Sequence, residues 1–122
     1  MSTAGTKLDA VIEEHLAAIN AFDEDRIVAT FAHDALVNDA RREFWGTEAI
    51  RRWVAEELVG DRVTIEVTEV IDQYGQTIVR GRYDGNYDKT NLPDDLILTN
   101  YVTVRDDKIT SLIVIFNQPS HG

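Results

Sequence analysis

A short apolar run, Ala35-Leu36-Val37, closes on Asn38-Asp39 and then meets the charged turn Arg41-Arg42-Glu43. A carboxylate in that place has two chemical uses. It can form the turn by accepting backbone N–H groups, as Asn and Asp routinely do. Held in an apolar pocket it can instead act as a general base, because desolvation raises a carboxylate's proton affinity. On sequence alone the two uses for Asp39 balance. Asn100 is a second unusual residue, an amide between Thr99 and Tyr101 in a strongly strand-forming run. Facing inward, it needs a hydrogen-bond partner. A third feature is Val79-Arg80-Gly81-Arg82-Tyr83-Asp84, which puts Arg82 and Asp84 on one strand face. Its simplest reading is an exposed ion ladder.

Other chemistries lack their residues. The chain has no cysteine, hence no disulfide, thiolate site or Cys nucleophile. His15, His33 and His121 have no metal-ligand spacing, so neither a metal nor any other cofactor is implied. His15, among apolar residues, reads as a satisfied core histidine, His33 as a loop residue and His121 as part of a tail. Neither a G-x-S-x-G elbow nor a phosphate loop occurs. Tyr74, Tyr83, Tyr87 and Tyr101 read as core or pocket lining. The formal net charge of -10 has the wrong sign for a nucleic-acid binder and favours a neutral ligand. No apolar run approaches the roughly 18 residues of a membrane span. The first residues lack a basic segment followed by an apolar one, so a cytoplasmic protein with no membrane partner is expected.

The elements that must position these groups follow from hydrophobic period. At 122 residues and 43% hydrophobic content, the chain is one domain, 1–122, with flexible tails at 1–6 and 118–122. Leu8, Val11, Ile12, Leu16, Ile19 and Phe22 recur at helical spacing and predict a helix over 6–21. Asp23-Glu24-Asp25 caps a second short helix with Ile27, Val28 and Phe31 inward. A strand over 35–39 follows. Thr47 is the expected N-cap of a third helix with Ile50, Trp53, Val54 and Leu58 on one face and Gly60 past its end. The period then switches to two, with strands over 63–72, 77–87, 96–104 and 109–116. Gly75 and Asp106-Asp107 mark hairpin turns, and 88–95, with Pro93, is a longer polar loop. Three helices followed by a strand meander is an α+β plan. A curved antiparallel sheet with the helices on its concave side makes a cone whose mouth is a natural apolar pocket.

This order, with "FAHDALVND", then "WGTEAIRRW", then a meander ending in "DDKITSLIVIF", resembles the NTF2-like (cystatin-like) superfamily over about residues 8–118. It resembles especially the small bacterial ketosteroid isomerase-like and SnoaL-like proteins. The isomerase resemblance implies Asp39 as general base. It places His15 and Asn100 at the oxyanion-donor positions and Phe116 at an aromatic on the last strand. Phe31, Trp53, Tyr83 and Phe116 would line the substrate pocket. The implied activity is cofactor-free proton transfer on a neutral hydrophobic carbonyl compound, whether steroid, polyketide or terpenoid. The superfamily also implies a homodimer through the open sheet face.

Two alternatives come from the same superfamily. The Arg82-x-Asp84 spacing resembles limonene-epoxide hydrolase, where an Arg bridges two carboxylates and an Asn on the first strand helps hold water; Asn38 matches that Asn. Leu36 stands where that family has Tyr. SnoaL-type cyclases resemble the Arg80–Tyr87 strand, but the last strand here ends in Phe116-Asn117-Gln118 rather than in their catalytic Asp. The registers conflict. The isomerase reading turns Gly81, Tyr83 and Gly85 inward, and the hydrolase reading turns Arg82 and Asp84 inward. Non-catalytic alternatives are a hydrophobic-ligand binding module or a protein-binding adaptor with a filled pocket.

Overall fold

The computed structural model describes residues 8–73, 75–87, 90 and 96–116. Helix α1, Ala10–Asn20, buries Ile12, His15, Ala18 and Ile19 along one stripe. Helix α2, Glu24–Ala29, starts at Asp23, whose carboxylate accepts from the Arg26 N–H at 3.2 Å. The Arg26 guanidinium in turn holds Glu14 on α1. Strand β1, Phe31–Asp39, begins four residues earlier than expected, so His33 is an exposed strand residue. A two-residue turn at Ala40-Arg41, both left-handed, returns the chain as β2, Arg42–Trp45. The charged segment 42–45 is thus an edge strand as well as the exit from a turn.

Helix α3, Gly46–Trp53, begins one residue before Thr47. Thr47 is not the N-cap; its hydroxyl donates to the His33 carbonyl at 3.4 Å. The helix widens into a π-helical stretch, Val54–Val59, of the kind often found near functional sites. Gly60 ends it. A Cβ there would lie 2.5 Å from the Glu56 carbonyl oxygen, so only glycine fits.

Strands β3 (Thr64–Gln73), β4 (Gln76–Asp84), β5 (Leu96–Arg105) and β6 (Lys108–Phe116) form the meander. Asp106 and Asp107, both at positive φ, make the two-residue β5–β6 turn, the conformation that a tight hairpin needs. The sheet order is β2-β1-β6-β5-β4-β3. One expectation is corrected: β1 pairs with β6 in parallel, so the sheet is mixed. Parallel pairing follows from the helices and β2 lying between β1 and the meander, which lets the last strand return beside the first in the same direction. The tails expected at 1–6 and 118–122 and most of the 88–95 loop lie outside the described residues.

The helices cover one face of this unclosed sheet, and the core lies between them. Asn20, the last residue of α1, fastens helix to sheet. Its amide donates to the Ile65 carbonyl at 3.1 Å and accepts from the Ile65 N–H at 2.8 Å, completing the backbone pairing of edge strand β3. Replacing Asn20 with Ala orphans both groups and is expected to lower unfolding free energy by about 1–3 kcal/mol. Denaturant unfolding checks this, and an unchanged midpoint would show that α1 is held by apolar packing alone.

Candidate active site

Between α1, the α3 segment and the inner sheet face lies a cavity of about 180 Å³. Most of its wall is aliphatic, including Ile12, Leu16, Val79, Leu98, Val102 and Leu112. The polar groups reaching it include Asp39, His15, Asn100, Tyr83 and Glu57.

Strand parity and a neighbouring amide decide which way Asp39 faces. Ala35 and Val37 are fully buried, so the period of two turns Asp39 to the same face. The turn is served instead by Asn38, whose side-chain oxygen accepts from the Arg41 N–H at 3.0 Å. The Asp39 carboxylate, 24% exposed, is clamped through one oxygen: Oδ2 accepts from the Trp53 indole at 3.0 Å and from Arg42 Nη2 at 3.1 Å. Oδ1 has no partner among the described residues. The same Arg42 nitrogen donates to Glu57 at 2.6 Å, so one guanidinium links two cavity carboxylates, on β1 and the π-helical stretch. Arg42 and Glu57 were not legible as site residues, because their pairing joins segments fifteen residues apart.

Tyr83 and Asn100 form one unit on adjacent strands. Asn100 Nδ2 donates to the Val79 carbonyl at 3.3 Å, which fixes the amide's orientation, and to the Tyr83 oxygen at 2.9 Å. The Tyr83 hydroxyl lies 3.1 Å from Asn100 Oδ1 and can donate there or swing to a ligand. Burial pushes the Tyr83 phenol above its ordinary value; Asp39 and Tyr87 add to this and the Asn100 bond opposes it. The phenol therefore stays a neutral donor. Both Asn100 N–H groups are engaged within the protein and its oxygen accepts from the Tyr83 hydroxyl, so Asn100 positions Tyr83, whose hydroxyl leaves Asn100 Oδ1 when it donates to a ligand.

His15 lies on the buried side of α1, with Nδ1 3.1 Å from the Thr30 hydroxyl. Burial lowers its pKa from 6.5 to about 4. The unfolded chain takes this proton near pH 6.5 and the folded chain only near pH 4, so stability rises with pH across that window. The contribution, about 3 kcal/mol from the linkage relation, is complete above pH 6.5 and is lost as pH falls through 4. Denaturant unfolding at pH 7 and pH 4 is expected to show a smaller drop for His15→Phe than for the native chain. Equal drops would mean that His15 protonates freely in the fold.

The other expected site residues divide. Trp53 lines the cavity. Phe31 does not; it packs edge-on against His15 at 5.3 Å between ring centroids. Phe116 ends β6, and its side chain lies outside the described residues. Asn38 serves the turn. Arg82 and Asp84 lie on the outer sheet face, where Arg82 holds Glu66 at 2.8 Å. The reason is register: Ile65 pairs with Tyr83 and Glu66 with Arg82, which turns Tyr83 inward and Arg82 outward. This is the exposed ladder expected as the simplest reading, and the register does not bring Arg82 and Asp84 to the cavity as the hydrolase alternative requires. Among the described residues no cluster suited to a metal ion occurs, and no helix is long and apolar enough to cross a membrane.

A model of the SnoaL-like domain family matches residues 12–112. The chain belongs to that family, and its fold is that of the NTF2-like superfamily. Among solved structures, it is 25% identical to a candidate polyketide cyclase from Sinorhizobium meliloti, with a TM-score of 0.78, covering 88% of this chain and 94% of that one. A protein of ketosteroid isomerase-like fold from Catenulispora acidiphila, in complex with trimethylamine, is 18% identical with a TM-score of 0.76, covering 91% and 88%. SalBIII, an epoxide hydrolase/cyclase-like enzyme of pyran ring formation in the polyether salinomycin, is 22% identical with a TM-score of 0.75, covering 88% of each chain. These last two share the fold alone. No curated protein sequence matches the chain.

Proposed function

We propose that the protein is a cofactor-free proton-transfer enzyme, an isomerase or related cyclase, acting on a small neutral carbonyl compound. One observation carries this reading: a carboxylate clamped through a single oxygen and a neutral phenol donor line one largely aliphatic cavity. Asp39 Oδ1 takes a proton from carbon beside the carbonyl and returns it at a second carbon. The oxygen on which enolate charge develops accepts from the Tyr83 hydroxyl, and Asn100 holds that hydroxyl in place. A preorganised donor of this kind typically contributes on the order of a hundredfold or more in rate. Cavity size bears on the substrate. Engineered apolar cavities near 150 Å³ admit benzene, so about 180 Å³ suits one or two rings better than four.

The test is conversion of cyclohex-3-enone to its conjugated isomer, followed by ultraviolet absorbance. Tyr83→Phe keeps the ring and removes the donor, and is expected to lower kcat by roughly a hundredfold with little change in KM. Full activity in that variant would remove Tyr83 from the mechanism. The rival reading, a non-catalytic binding module, draws on the Arg42 and Trp53 bonds that already occupy Asp39. It predicts ketone binding without turnover. Association as a homodimer through the outer sheet face, where Ile115 is 46% exposed, is part of the same proposal and is checked by light scattering.

A further inference from the structure

We infer that His15 acts as a hydrogen-bond acceptor in the cavity and that the ligand brings a hydroxyl group to it, which makes the substrate class a small hydroxy-carbonyl compound. For the carbonyl end this rests on the reading above; the hydroxyl end stands on its own geometry. A neutral imidazole carries one N–H donor and one acceptor nitrogen. The Thr30 hydroxyl spends its single hydrogen on the Ile27 carbonyl at 2.6 Å. Its oxygen can therefore only accept from His15 Nδ1, 3.1 Å away. The ring proton is held on Nδ1, and Nε2 keeps a lone pair. Burial keeps the ring neutral at pH 7, so Nε2 gains no proton there.

His15 is 4% exposed, and no described residue pairs with Nε2. The ring lines the cavity, while Thr30 and Phe31, which hold its other side, do not. A buried acceptor without a partner is unfavourable, and a ligand hydrogen satisfies it. This reverses the expectation that His15 donates to an oxyanion. The cavity then offers complementary ends: Tyr83 donates to a carbonyl oxygen, and His15 accepts from a hydroxyl. A simple ketone leaves the second end unmatched.

The experiment uses the full chain with 15N-labelled histidine. A long-range 1H–15N spectrum at pH 7 is expected to show His15 protonated on Nδ1. Titration with acetophenone and its 3′- and 4′-hydroxy derivatives follows. The better hydroxy isomer is expected to bind at least tenfold more tightly than acetophenone, and His15→Phe to bring the ratio near one. Thr30→Val is a second variant. It removes the acceptor for Nδ1, so the ring proton is expected to move to Nε2 and the hydroxyl preference to shrink. A native ring protonated on Nε2 overturns the inference. So does the absence of a hydroxyl preference, its survival in both variants, or failure of all three probes to bind. If the preference holds while Asp39→Asn leaves turnover intact, the proton-transfer reading falls and the acceptor role of His15 stands. If turnover needs Asp39 but hydroxyl preference is absent, the reverse follows.

Discussion

Asn in place of Asp39 is expected to lower turnover by roughly a hundredfold to ten-thousandfold, the range for removing a positioned general base. The substitution keeps the shape of the side chain and leaves an oxygen for the Trp53 indole, which now lies 3.0 Å away. It removes the charge that Arg42 shares between Asp39 and Glu57, but Arg42 keeps Glu57 at 2.6 Å. The fold should therefore survive. Affinity for a hydrophobic ketone is expected to stay within about tenfold, roughly 1.4 kcal/mol. Isomerisation of cyclohex-3-enone and titration with acetophenone separate the two effects. Loss of turnover with binding retained marks a base. Loss of both marks a structural carboxylate and would sink the assignment.

Trp53→Ala is expected to destabilise the protein by about 3–5 kcal/mol, the usual cost of emptying a buried aromatic site. Trp53 is 3% exposed, its ring lies 6.0 Å from that of Phe44, and its N–H is one of two donors to Asp39. Truncation opens the cavity wall and frees the carboxylate together. Denaturant unfolding measures the first effect; a loss below about 1 kcal/mol would mean that the ring is not packed as described. Trp53→Phe separates the second. It retains most of the apolar volume and drops only the indole donor, so kcat should fall roughly tenfold to a hundredfold through looser aim of Asp39, with stability less affected.

Much of the architecture was legible because it is written in local periods. The 3.6-residue stripe of α1, the switch to alternation after Gly60 and the turn residues Gly75 and Asp106-Asp107 each act over a few neighbours. They were enough to place the helices and meander and to support an α+β cone. They could not show that 42–45 is a strand, because that short, exposed segment is ordered by its pairing with β1. Nor could they show the parallel joining of β1 and β6, which no local signal encodes.

The site divides in the same way. Sequence by itself determined which polar residues stand at unusual places: Asp39 closing an apolar strand, Asn100 inside another, His15 on an apolar helix face. Their roles were decided by tertiary contacts. Asp39 became a cavity carboxylate because Asn38 took the turn and parity turned the next residue inward. Arg82 was excluded because the β3–β4 register paired it with Glu66 on the outer face. Asn100 became the support of Tyr83, a residue on the neighbouring strand. The direction of hydrogen bonding at His15 was set by Thr30, fifteen positions away, and by the carbonyl that Thr30 itself serves. Periodicity decides which face a side chain occupies, since that depends on its own backbone. Whether a group donates, accepts or stands free depends on partners that only the folded chain brings within 3 Å or so.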